Sequence, residues 1–242
     1  MSIVRSLSLA AALAVFAAPA AAASLTITEI DGEWQSTEPA VDGIGTQFIS
    51  WGDPSNNGVL NPDGDPSAYE FVPTTGSFDV EDGATFEIGT FSHYNFPILA
   101  PVLETAELFI EISIAGLVDP ISAVFVFDHW ETRNQDATCA NEEPNNEGVN
   151  INGCADRVTA MLNEGSVTSF IIDGFEYTLT LSGFLYNDSL LDEFWTAEKQ
   201  INSAILVGSF DVRELPPEVP LPASGLLLVG GLAGLVLARR RS

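Results

Sequence analysis

The sequence predicts an all-β protein, a single antiparallel β-sandwich of jelly-roll type, set between an amino-terminal signal peptide and a carboxyl-terminal hydrophobic helix. Three observations predict this. Interior segments alternate apolar and polar residues at the strand period, Gly, Pro, Asn and Asp punctuate them, and an uncharged run stands near each end of the chain. Residues 24–214 are enough to bury one sizeable core. They carry no internal repeat and no low-complexity linker, so one domain is expected there.

Residues 1–23 read as an export signal. Arg5 supplies positive charge, Leu7 to Ala18 form an apolar segment, and Ala21-Ala22-Ala23 offers small residues for cleavage before Ser24. The apolar segment is too short to cross a hydrocarbon core, which needs roughly 20 apolar residues. The mature chain is expected to begin near Ser24 and to fold outside the cytoplasm.

Further along, "NPDGDPSAYE" sets Asn61, Asp63 and Asp65 at alternate positions, a spacing common among the oxygen ligands of calcium loops. The EF-hand pattern then fails, because Pro66 stands where its turn glycine belongs and Val72 where its closing acid belongs. These three residues are a candidate calcium site. An acidic turn without metal is the simpler reading, and no other cofactor is expected.

Asp82-Gly83 separates "SFDV" from "ATFEIG", as a hairpin turn would. In "ETAELFIEISI", residues 104–114, Ala106, Leu108, Ile110, Ile112 and Ile114 share one face, with Glu107, Glu111 and Ser113 opposite. That is a half-buried strand. "AVFVFD" is a continuous apolar run, expected as a central strand buried on both faces. "SVTSFII" and "FEYTLTL" flank Asp173-Gly174, a pair that readily takes positive φ, and so predict a tight hairpin with Phe175, Tyr177, Leu179 and Leu181 on one face. A short helix is expected near Leu190 to Lys199.

Cys139 and Cys154 bracket a polar loop whose apolar residues able to pin it are Val149 and Ile151. Two cysteines in an exported chain most simply pair, and closing a loop of about 15 residues stabilises a fold by roughly 3 kcal/mol in the chain-entropy model. A catalytic or metal-binding thiol is the weaker alternative, since no histidine sits nearby at ligand spacing.

The chain closes with "EVPLPASGLLLVGGLAGLVLARRRS". Helical rise carries the run 225–238 only about 21 Å, short of a ~30 Å hydrocarbon core, and the 219–224 lead-in brings it to marginal spanning length. Arg239, Arg240 and Arg241 then act as a membrane stop held on the cytoplasmic side. Pro216-Pro217 and Pro220-Leu-Pro222 make an extended neck ahead of it. The order VPLPAS, glycine-leucine helix and arginine cluster resembles the VPLPA variant of the bacterial PEP-CTERM sorting signals, over about the last 24 residues. The resemblance implies recognition at Val219, Pro220, Leu221, Pro222 and Ala223 by an exosortase, an integral-membrane cysteine protease of transpeptidase-like chemistry that removes the tail. Membrane attachment would then be transient, and the product would reach the surface or matrix of a Gram-negative bacterium. An ordinary single-pass anchor is the alternative.

Three further stretches, "GTQFISWGDP", "FEIGTFSHYNFPI" and "NGCADRV", resemble segments of the choice-of-anchor K domain, a bacterial surface module found with several anchoring signals. They are spread over residues 45–158. No enzymatic activity or catalytic residue comes with that family.

Charge narrows the partners. The chain carries a net charge of -26, and between the two ends four basic residues face 34 acidic ones, leaving -30. Such a body repels phosphate backbones, so nucleic acid is not an expected partner. His93 and His129 have no partner at zinc-motif spacing, and no nucleophile elbow, phosphate loop or dinucleotide glycine pattern occurs. Each histidine reads as a hydrogen-bonded structural residue. Trp34, Trp51, Trp130 and Trp195 are expected mainly in the core, with sugar stacking as the alternative. The primary expectation is a non-catalytic structural or interaction protein, displayed at the surface and associated with extracellular polysaccharide. A carbohydrate-binding module is second. A glycan-active hydrolase is third, because a catalytic carboxylate pair needs no sequence motif.

Overall fold

The computed structural model describes residues 24–216 except 57 and 164–168. The export signal, the recognition motif at 219–223 and the arginines at 239–241 lie outside the described residues.

The chain runs through β1 (Ser24–Glu38), β2 (Phe48–Trp51), β3 (Asp53–Asn56), β4 (Val59–Leu60), β5 (Ser67–Pro73) and β6 (Phe78–Glu81). It continues through β7 (Thr85–Asn95), β8 (Ile98–Leu99), β9 (Thr105–Ile114) and β10 (Ile121–Trp130). After a loop containing one 3-10 turn (Gly148–Asn150) come β11 (Asp156–Leu162), β12 (Ser169–Ile172) and β13 (Phe175–Tyr186). The last strands are β14 (Ser189–Leu191), β15 (Glu193–Thr196) and β16 (Gln200–Glu214). One sheet has the order β15-β11-β10-β9-β1-β6; a second has β12-β13-β16-β7-β5-β2, with β14 added beside β13; a small third sheet is β4-β3-β8. Apart from that 3-10 turn, the described residues are all-β, and their sheets are antiparallel.

The inner faces of the two large sheets share one hydrophobic core. Phe91 of β7 stacks on Phe127 of β10 with ring centroids 5.1 Å apart, Trp34 of β1 meets Tyr69 of β5 at 5.6 Å, and Phe184 of β13 meets Phe194 of β15 at 5.6 Å. Every buried residue of β9 is on the face its alternation predicts, Ala106 through Ile114.

β10 departs from the expectation. Its apolar run is covered on one face only: Ala123, Phe125, Phe127 and His129 are buried, whereas Val124 and Val126 are half-buried on the outer face. No further layer packs outside this sheet among the described residues, so a central strand still has a wet side.

Asp82-Gly83 does form a tight turn, with Gly83 at φ +67° and the Ala84 N–H donating to the Glu81 carbonyl at 2.9 Å. It does not close a hairpin. β6 pairs with β1 in one sheet, while β7 pairs with β5 and β16 in the other, so the turn hands the chain across the core, where Val80 and Phe86 are buried.

The hairpin at Asp173-Gly174 forms as read, with φ +50° and +84° at the two turn residues and Ile172 opposite Phe175. Tyr177 and Leu179 are buried, and Phe175 and Leu181 half-buried. A register shift between Leu181 and Gly183 then reverses the phase, so that Phe184 is the next buried ring. Gly183 sits at φ +122°, and a β-carbon there would lie 2.6 Å from the Leu191 carbonyl oxygen, which is why no larger residue fits this bulge.

The helix expected near Leu190 to Lys199 is absent. Positive φ at Asn187 and Asp188 turns the chain back into β14, and β15 then zips onto the edge of β11. Phe194 and Thr196 point inward and Trp195 outward, a strand alternation that a helical reading of so short a segment misses.

Candidate functional site

The sites read from sequence take different places. Cys139 and Cys154 form a disulfide, with Cα atoms 5.2 Å apart. Pairing fits an oxidising compartment. Asn61, Asp63 and Asp65 lie in the surface turn between β4 and β5; both aspartates are exposed, and the turn is closed by the Gly64 N–H donating to the Asn61 carbonyl at 2.9 Å. Trp34 and Trp51 are buried in the core, whereas Trp130 is 46% exposed and Trp195 half-buried on the outer face.

The two histidines, separate in sequence, meet. β7 brings His93 and β10 brings His129 to one end of the shared core, with ring centroids 5.1 Å apart and edge-to-face. Trp51 stacks on His93 at 5.8 Å, and Tyr69 packs edge-on against both imidazoles. Three carboxyl groups join them. Asp156 occupies an inward position at the start of β11, Glu131 follows β10, and Glu198 lies in the turn between β15 and β16. Asp156 and Glu198 are 0% exposed. One ligand atom from each of His93, His129 and Asp156 lies within 4.8 Å of the others, and the same holds for Glu131, Asp156 and Glu198.

Local structure explains each placement. The Asp156 Oδ1 accepts from the Thr132 N–H at 2.6 Å, which ties β11 to the chain leaving β10. Asn202 closes the turn that presents Glu198: its Oδ1 accepts from the Ala197 N–H at 2.8 Å and its Nδ2 donates to the Ala197 carbonyl at 2.9 Å. Asn134 donates to Glu198 Oε1 at 2.8 Å. The loop from β10 to β11 is held by the disulfide and by fully buried Asn150, whose Oδ1 accepts from the Ala155 N–H at 2.9 Å. Of the two apolar residues able to pin it, Val149 is half-buried and Ile151 is largely exposed.

Burial dominates the electrostatics. It pushes Glu131 up to about 7, and Glu198 to about 7 against the opposing hydrogen bond from Asn134. Asp156 is driven well above the usual carboxylate range by burial and then by the charges of Glu131 and Glu198. Burial lowers His93 well below the ordinary imidazole value and takes His129 to about 4. Among the described residues no Lys or Arg forms an ion pair with Asp156 or Glu198. The Asp156 Oδ2, Glu198 Oε2 and His93 Nε2 atoms are buried without a hydrogen-bond partner. Such orphaned groups are costly, so an arrangement of this kind marks a site.

A cavity of about 660 Å³ opens beside the cluster, lined by Glu131, Arg133, Asn134, Asn152 and Lys199. On the outer face above lies a row of three side chains: Arg157 of β11 is opposite Trp130 of β10 on one side and Trp195 of β15 on the other. The Arg157 guanidinium sits 4.9 Å from the Trp130 ring centre and reaches Glu193 at 3.2 Å. A second cleft, of about 310 Å³, runs from Trp130 past Thr132, Asp136 and Thr138 to the disulfide.

Sequence reading missed Glu131, Asp156 and Glu198, and left the histidines apart. A partial signal was present: Asp156 and Val158 stand two apart across Arg157, so this acid shares the strand phase of a core-facing residue, whereas no polar alternation marks Glu198, which follows buried Ala197. No protein-family model matches this chain, and no curated protein matches it.

Proposed function

We propose that this protein is an exported, surface-sorted bacterial module, a β-sandwich of jelly-roll type that acts by display and contact and not by catalysis. The observation that carries the reading is the three-part tail, with Val219 to Ala223, the glycine-leucine run and Arg239 to Arg241 following a body of opposite charge. The Cys139–Cys154 disulfide supports export, because such bonds persist in oxidising compartments. The choice-of-anchor K resemblance supports a surface module of predominantly β structure. An exosortase-type protease is the partner in processing, and the membrane is a transient one.

Mass spectrometry of both termini of the mature protein tests this reading. The expected product begins near Ser24 and ends before Gly225. A product that retains Arg239 to Arg241 would make the tail a permanent anchor and overturn the sorting step.

One observation favours a second reading, a carbohydrate-binding module with the same delivery. The row Trp130, Arg157 and Trp195 sets two indoles on the outer face beside a guanidinium that lies over the Trp130 ring, next to a polar cleft. Three of the four basic residues of the acidic body, Arg133, Arg157 and Lys199, gather at this end. Aromatic faces stack on sugar rings, and the cations would meet the carboxylates of an acidic exopolysaccharide.

A further inference from the structure

His93, the buried acids Asp156 and Glu198, and half-buried Glu131 carry an inference that does not depend on sorting or on glycan contact. Thr196 Oγ1 lies 3.2 Å from the Asp156 carbonyl and 2.8 Å from His93 Nδ1. With the Thr196 hydroxyl donating to that carbonyl, Nδ1–H donates to Thr196, and the His93 lone pair falls on the fully buried, unpartnered Nε2. That is the state in which an imidazole ligates a metal, oriented through its other nitrogen. His129 is held the opposite way. With the Tyr69 phenol, kept neutral by burial, donating to His129 Nδ1 at 2.6 Å, the Nε2–H faces Glu131 Oε2 at 3.4 Å. His129 therefore positions Glu131.

We infer that Glu131, Asp156 and Glu198, with His93 Nε2 as nitrogen donor, bind a single first-row divalent cation such as zinc or manganese. Two ligands on opposite sides of an ion with bonds of about 2.1–2.4 Å are about 4.2–4.8 Å apart, and the ligand atoms within each group lie no farther than 4.8 Å from one another, with Asp156 common to both. His93 falls in one group and Glu131 and Glu198 in the other, so an ion held by all four must draw them in around Asp156. Three adjacent carboxylates free of any Lys or Arg ion pair are balanced by a divalent charge. The imidazole shifts preference from calcium, which takes oxygen ligands, to first-row ions. The surface turn at Asn61, Asp63 and Asp65 has no fully buried, unpartnered donor of this kind. An ion at this position would tie together β7, the β10–β11 loop and the β15–β16 turn, three segments distant in sequence.

The test uses the full chain, stripped with chelator and titrated separately with zinc, manganese and calcium, with bound metal counted by elemental analysis and thermal unfolding followed in parallel. The expected result is one zinc or manganese ion per chain, with a rise in unfolding temperature as the ion is added. Asp156→Asn and Glu198→Gln are near-isosteric and should each weaken binding by at least roughly 100-fold while the far-ultraviolet spectrum is unchanged; His93→Gln should cost at least about 10-fold. Asp63→Asn combined with Asp65→Asn should change nothing. Failure of the stripped chain to bind zinc or manganese at millimolar concentration would overturn the site, as would binding that survives both Asp156→Asn and Glu198→Gln. Binding of calcium alone, indifferent to His93→Gln, would overturn the nitrogen donor and with it the choice of ion. Should one acid variant not fold, the other and His93→Gln decide the outcome.

Discussion

At the scale of single residues, the four tryptophans divide by the face of the sheet each occupies. Trp34 is fully buried against Tyr69, Phe91 and Phe127, and its Nε1–H donates to the Gln47 carbonyl at 3.2 Å. Trp130 keeps nearly half its surface in solvent over Arg157. Truncation separates these roles. Trp34→Ala should destabilise the fold by about 3–5 kcal/mol through the cavity it leaves, read from the denaturant midpoint. Trp130→Ala should leave that midpoint nearly unchanged and abolish glycan-array binding, if the outer row contacts sugar. Composition could not sort the four, because an inward and an outward tryptophan differ only in strand phase. Trp130 and His129 are neighbours in sequence, yet one faces solvent and the other the core.

Among the elements, the loop between β10 and β11 shows most clearly what holds a polar segment in place. Its Asn145 donates to the Asn134 and Asp136 carbonyls, and Asn150 donates to the Asn141 side chain at 3.0 Å, so side-chain amides stand in for apolar anchors. The disulfide closes this loop over a sequence separation of 15. Replacing both cysteines by serine should cost roughly 3 kcal/mol in the chain-entropy model, measured by chemical denaturation against the oxidised wild type. Amide exchange should accelerate between residues 131 and 155 more than in β9. The cysteine pair was readable from two thiols in a chain whose sequence reads as exported. The amide clamps were not, because Asn150 bonds partners that only the closed loop brings near. Elsewhere, β9 was legible because one strand with one buried face writes its own alternation. The Asp82-Gly83 turn misled because a tight turn looks the same whether the next strand joins the same sheet or the opposite one.

The whole chain carries a net charge of -26, with -30 on the stretch between Arg5 and Arg239. Like charges at this density oppose compaction, so raising monovalent salt from about 10 mM to about 0.5 M should increase the unfolding temperature by screening, read by calorimetry. A fall in that temperature would mean that specific ion pairs outweigh the general repulsion. Two ion pairs with arginine are formed among the described residues, Arg157–Glu193 and Arg213–Glu176, both partly exposed, so screening is expected to win. What the sequence by itself determined is whatever depends on neighbours along the chain: the all-β class, the face of β9, the Asp173-Gly174 hairpin, the cysteine pair and the charge. Only the tertiary structure decided which sheet each strand joined, which tryptophans reached solvent, and that His93, Glu131, Asp156 and Glu198 share one end of the core. Those facts depend on the packing of strands remote in sequence, and a buried carboxylate reads like a solvated one until the opposite sheet covers it.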